Sequence, residues 1–174
     1  MRSIMTAVVL FAGFALVGSS AFGQGGGDDF SAGRKITGSV YRPHTARTYQ
    51  GHAINHAQVL QHYAKTNATI PGDTAKEHAT EVRRNLDKSF AELEKLDKDI
   101  TKDKEAQTLL AEIKAHHKKA DAHCGMLETE CLKHTAQGTV VAKCCGDMLK
   151  ELEAAYAAHD KLLKHLGVPV PPKK

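Results

Sequence analysis

From Tyr49 onward apolar residues recur at spacings of three and four, the period of a helix that buries one face, and Gly and Pro become scarce inside long segments. Four such segments follow. The first runs from about Tyr49 to Thr66 and ends where Pro71 removes a backbone donor. The second opens at Asp73 or Thr74, with Thr74 and Glu77 at capping-box spacing, and carries the stripe Ala75, Ala79, Val82, Leu86, Phe90, Leu93, Leu96 and Ile100. The third begins near Thr101 and carries Ala106, Leu109, Leu110, Ile113, Ala120 and Leu127 up to the Gln137-Gly138 break. The fourth starts with Thr139 as N-cap and stops at Gly167, with Pro169 just beyond. Short connections favour neighbours that run in opposite directions, so the expected fold is all-α: an antiparallel, up-down-up-down four-helix bundle over residues 49–167.

Ahead of the helices lie two segments of different character. Arg2, the acid-free apolar stretch Ile4–Val17 and the small residues up to Gly23 have the layout of a cleavable signal peptide, residues 1–23. The apolar stretch is shorter than the roughly 20 residues of a membrane-spanning helix, so no stable membrane insertion is expected after cleavage. Residues 24–48, rich in Gly and opening on Gln24-Gly25-Gly26-Gly27, read as a flexible leader, and residues 168–174 as a Pro/Lys tail. The expected location is secreted or periplasmic.

Charge narrows the partners. The 174-residue chain holds 24 Lys and Arg against 20 Asp and Glu, too even a balance to steer nucleic acid. Lys and Glu interleaved along residues 92–105 and the Lys-rich 114–119 read as solvated helix faces. Composition also raises a metal question: eleven His outnumber Phe and Tyr together, and there is no Trp.

Helix register sorts these histidines by height. Taking each connection as a hairpin brings His52, His56, His117 and His159 to one end of the bundle. Heptad neighbours then set direction: His159 shares its position with Cys145, Leu152 and Leu166 and points inward, while His117 shares its position with Leu110 and Cys124. His52 and His56 stand four apart on one helix, the spacing that lets two imidazoles reach one ion. These four are the expected metal ligands, with zinc or copper as the natural ions for a nitrogen-rich site. His62, His78 and His123 form a second level group and a candidate second metal site, although the heptad neighbours of His62 and His78 place those two at the boundary or outside, as solvated histidines. Noncovalent haem in the core is a lesser variant.

Cys124, Cys131, Cys144 and Cys145 all fall in the last two helices. In an exported chain an even count points to disulfides, with Cys124 to Cys145 and Cys131 to Cys144 the preferred pairing and Gly125 and Gly146 permitting close helix approach. The alternative keeps them as thiols of a soft-metal site beside His123, Met126 and Met148.

Catalytic signatures are missing. No Glu has a His three residues later, as di-iron bundles require, and there is neither Cys-x-x-Cys-His nor His-Glu-x-x-His. The reading is therefore non-enzymatic: an exported bundle that stores, buffers or delivers a transition metal. Its rival is a structural or protein-interaction module, with an unidentified protein partner, in which the histidines are packed or solvated.

Overall fold

A computed structural model describes residues 41–132 and 134–170 of the chain. The signal peptide and most of the expected leader lie outside the described residues, as does the end of the Pro/Lys tail.

Four helices account for nearly all of the described chain: α1 (Tyr41–Thr66), α2 (Gly72–Asp99), α3 (Lys104–Cys131) and α4 (Gly138–His165). Each packs against two others, α1 and α3 both touching α2 and α4. The apolar stripes read from the sequence are the buried faces. On α2, Ala75, Ala79, Val82, Leu86, Leu93 and Leu96 are all buried, and Ile100 follows at the cap. Phe90 departs from that expectation: it is only half-buried, beneath the Lys114 ammonium, and the small hydroxyl residue Ser89 is enclosed in its stead.

Helix α1 begins eight residues before the expected boundary, so the segment 41–48 belongs to the folded body rather than to a leader. Pro43 does not prevent this, because in the first turn the missing N–H has no helical acceptor to lose. The early turn is anchored from outside the helix: Ala46 is buried and Arg42 reaches Asp99 on α2 at 2.7 Å.

The helix starts differ from the local capping signals. Neither Thr74 nor Thr139 caps a helix; α2 follows Pro71 and α4 follows Gln137, with no side-chain cap at either. The reason is tertiary. The α1–α2 and α3–α4 connections meet, and their strands β1 (Thr69–Pro71) and β2 (Thr135–Gln137) pair antiparallel, Ile70 opposite Ala136. Gly72 N–H then donates to the His134 carbonyl at 3.2 Å and Gly138 N–H to the Ala68 carbonyl at 2.9 Å, so each connection satisfies a terminal amide of the other's helix. By contrast α3 has a side-chain cap, the Asp103 carboxylate accepting from Ala106 N–H.

Gly167 ends α4 as expected. Its φ of 71° is the left-handed conformation of a helix-terminating residue. Val168 N–H reaches back to the Leu163 carbonyl, Gly167 N–H to that of Lys164, and the Val168 side chain is buried, which together make a Schellman stop.

Candidate metal centre and the buried polar layer

The core is two apolar clusters rather than one. The first gathers Leu60, Ile70, Leu127, Met148 and Leu152; the second gathers Leu93, Leu96, Leu110, Ile113 and Leu162. Along three helices the change from one cluster to the other falls at a buried polar residue. On α1 Gln50 lies between Ala46 and Ala53, on α2 Ser89 between Leu86 and Leu93, and on α3 His117 between Ile113 and Ala120. From α4, where the change falls between Leu152 and Ala155, His159 joins one turn further on. Each helix thus contributes a polar side chain to this level, and Arg47 of α1 and Asn85 of α2 are buried as well.

Gln50 joins the two histidines. Its Nε2 donates to Nε2 of His117 at 2.8 Å, and its Oε1 accepts from Nδ1 of His159 at 3.1 Å. This pattern sets the tautomers: His117 keeps its proton on Nδ1 and His159 on Nδ1, leaving the outer nitrogen of each ring without a partner. Both rings are neutral near pH 7. Burial, reinforced by the neighbouring His116, pushes His117 down to about 4. Burial, then His117 and the Arg47 cation, pushes His159 down to about 3, against weak opposition from Asp160 and the Pro43 carbonyl. Arg47 itself is buried, with Nε 2.6 Å from Asp160 Oδ1 and its guanidinium 4.2 Å from the Tyr156 ring centroid.

The four histidines expected to share an ion are divided by the fold. His117 and His159 are enclosed on either side of Gln50, whereas His52 is exposed and His56 is half-buried. His56 turns toward α2, where its Nδ1 stands 3.5 Å from Nδ1 of His78, the ring centroids 5.7 Å apart and tilted by 57°. A tetrahedral ion with bonds of about 2.0–2.1 Å to nitrogen holds two such ligands about 3.3–3.4 Å apart. The His56–His78 separation is close to that value and long for a hydrogen bond between the rings. Burial and the adjacent His56 lower the His78 proton affinity, partly offset by Glu77, which favours the neutral ring that a metal requires.

The second expected group is not together either. His62 is exposed, His78 belongs with His56, and half-buried His123 faces the charges of Asp147 and Glu151 from α3. Among the described residues no three His, Cys, Asp or Glu side chains are already gathered to hold an ion.

All four cysteines are buried free thiols, so the expected bridges are not formed in this structure. Nor do the adjacent glycines bring α3 and α4 together. A β-carbon on Gly125 would face Arg83 of α2 at 3.8 Å, and one on Gly146 would come within 2.9 Å of the Gln61 amide of α1.

Sequence reasoning passed over Gln50, Ser89 and Arg47. The signal for the first two was present: Gln50 continues the stripe Ala46, Ala53, Ala57, Leu60 and Ser89 the stripe Leu86, Leu93, Leu96, both at helical spacing. No protein-family model, curated protein or solved structure matches the chain.

Proposed function

We propose that this protein is an exported, non-enzymatic metal-binding protein, an antiparallel four-helix bundle that stores, buffers or delivers zinc or copper through histidine. The observation that supports this is the His56–His78 pair, two half-buried imidazoles from neighbouring helices whose Nδ1 atoms lie 3.5 Å apart. Both rings are reachable from solvent, as a site that must load and release its ion requires. His52, one turn before His56, is the third imidazole within the same helical surface. Water completes such a site, since open coordination positions suit exchange better than a closed structural set.

In this reading His117 and His159 are not ligands. Each ring has one nitrogen bonded to Gln50, and an ion bound at the other would bring its charge into a largely apolar core. The same observation favours a second reading, a structural or interaction module in which histidines specify packing. One experiment separates them. Tag-free protein is titrated with zinc against a chromophoric chelator, for the wild type, His56→Ala, His78→Ala and the core variant His117→Gln. Binding weakened at least tenfold by either of the first two and unchanged by the third supports the metal site. Wild-type protein that takes no zinc or copper from the chelator leaves the module reading.

A further inference from the structure

The sulfur side chains of the first apolar cluster are not used by the histidine site. Helix α3 supplies Cys124 and Cys131, and α4 supplies Cys144, Cys145 and Met148, all within one apolar cluster. The Cys124 Sγ and Met148 Sδ are 3.8 Å apart. Cys145 lies close enough to Cys124, Cys131 and Cys144 for the charge of each to act on its own thiol. Four thiols and a thioether thus share one region, unbridged, within a cluster otherwise made of Leu, Ala, Val and Ile.

We infer that Cys124, Cys145 and Met148, with Cys131 and Cys144 nearer the surface, form a binding site for Cu(I), separate from the His56–His78 pair. Thiolate and thioether are soft donors and select a soft ion. Coordination number points the same way. Zinc takes four ligands in a closed site, and no such set is assembled among the described residues, whereas Cu(I) is held by about two or three soft donors. Cu(I) displaces two thiol protons to solvent, forms two copper–thiolate bonds and one bond to the Met148 thioether, and leaves one net negative charge on the complex, with no electron transferred. The charges that act on Cys124 are mixed, the Arg83 cation against the Asp121, Glu128 and Asp87 carboxylates, and Arg83 is paired with the first two of these. Exposure is graded along the cluster: Cys131 and Cys144 are 7% and 8% exposed, and Cys124, Cys145 and Met148 are fully enclosed. The outer pair is placed to pass an ion inward by thiol exchange.

The test is a titration of reduced, tag-free protein with Cu(I) in competition with bicinchoninate, followed by ultraviolet thiolate-to-copper absorption. The site predicts uptake of at least one Cu(I) per chain, lost in Cys124→Ala/Cys145→Ala, weakened at least tenfold in Met148→Leu and retained in His56→Ala/His78→Ala. Failure of the reduced wild type to withdraw Cu(I), or uptake that survives both the double cysteine variant and Met148→Leu, overturns it. Should the double variant lose its helical circular dichroism, Met148→Leu decides alone, because Leu preserves the packing and removes only the sulfur.

Discussion

Gln50 and His117 meet nitrogen to nitrogen at 2.8 Å in a buried polar layer between two apolar clusters, and the same amide holds His159 through its oxygen. A single neutral side chain therefore satisfies one atom on each of two imidazoles. Replacing Gln50 by Leu leaves both atoms unpaired and is expected to cost about 2–4 kcal/mol in urea unfolding. The triple variant with Leu at positions 50, 117 and 159 removes the whole network and is expected to recover most of that loss. Recovery would show the polar layer to be a device for specifying the packing arrangement rather than a source of stability.

Acid should unfold the protein through the same two residues. The folded state holds His117 and His159 well below the ordinary imidazole value of 6.5, so between about pH 6.5 and pH 4 the unfolded chain binds protons that the folded chain refuses. Stability is then present in full above that window and falls as pH is lowered through it, by several kcal/mol on the order implied by shifts of this size. Denaturant melts at pH 7.5 and 4.5 measure the loss. His117→Gln/His159→Gln should show a much smaller difference between the two, and an equal difference would place the acid sensitivity elsewhere.

Two glycines should respond to Ala in opposite directions. A β-carbon on Gly138 would sit 1.9 Å from the Asn67 carbonyl oxygen and 2.7 Å from that of Ala64, both backbone atoms. Gly138→Ala must therefore push the two connections apart and is expected to cost about 3 kcal/mol or more. Gly125 has only the Arg83 guanidinium at 3.8 Å, an ordinary contact, so Gly125→Ala should gain about 0.5–1 kcal/mol from helix propensity. Thermal melts of the two variants give the comparison directly.

Metal should stabilise the fold in a way that acid removes. Zinc at a hundredfold excess over its dissociation constant adds about 2.7 kcal/mol to the folded state, and the rise in Tm should vanish with chelator and in His56→Ala/His78→Ala. Because the ligands must be neutral, the rise should shrink between pH 7.5 and 5.5. A rise that persists at pH 5.5 would point to ligands other than imidazole.

Much of this architecture follows from local pattern. Periodicity identified four helices and most of their buried residues, Gly167 marked the end of the last, and heptad neighbours sent His159 inward and put His117 on a flank of the buried stripe. These features depend on one helix at a time, and a helix's apolar face is written in its own residues. The same stripes also held Gln50 and Ser89, whose polar character concealed their position in the core.

What remained depends on how helices stand against one another, and single-helix patterns do not carry that information. Thr74 and Thr139 have the composition of N-caps, yet the pairing of β1 with β2 satisfies those helix starts through residues more than 60 positions away in sequence. Small shifts in height and rotation then decided partners: His56 meets His78 rather than His52's expected company, and Gly125 and Gly146 face Arg83 and Gln61 rather than each other's helices. The sequence by itself determined which faces are apolar and which residues are available for chemistry. The tertiary structure decided which of them meet, because interhelical register is set by packing and by the joined connections, and a shift of one turn, about 5.4 Å, exceeds the reach of any hydrogen bond or metal–ligand bond.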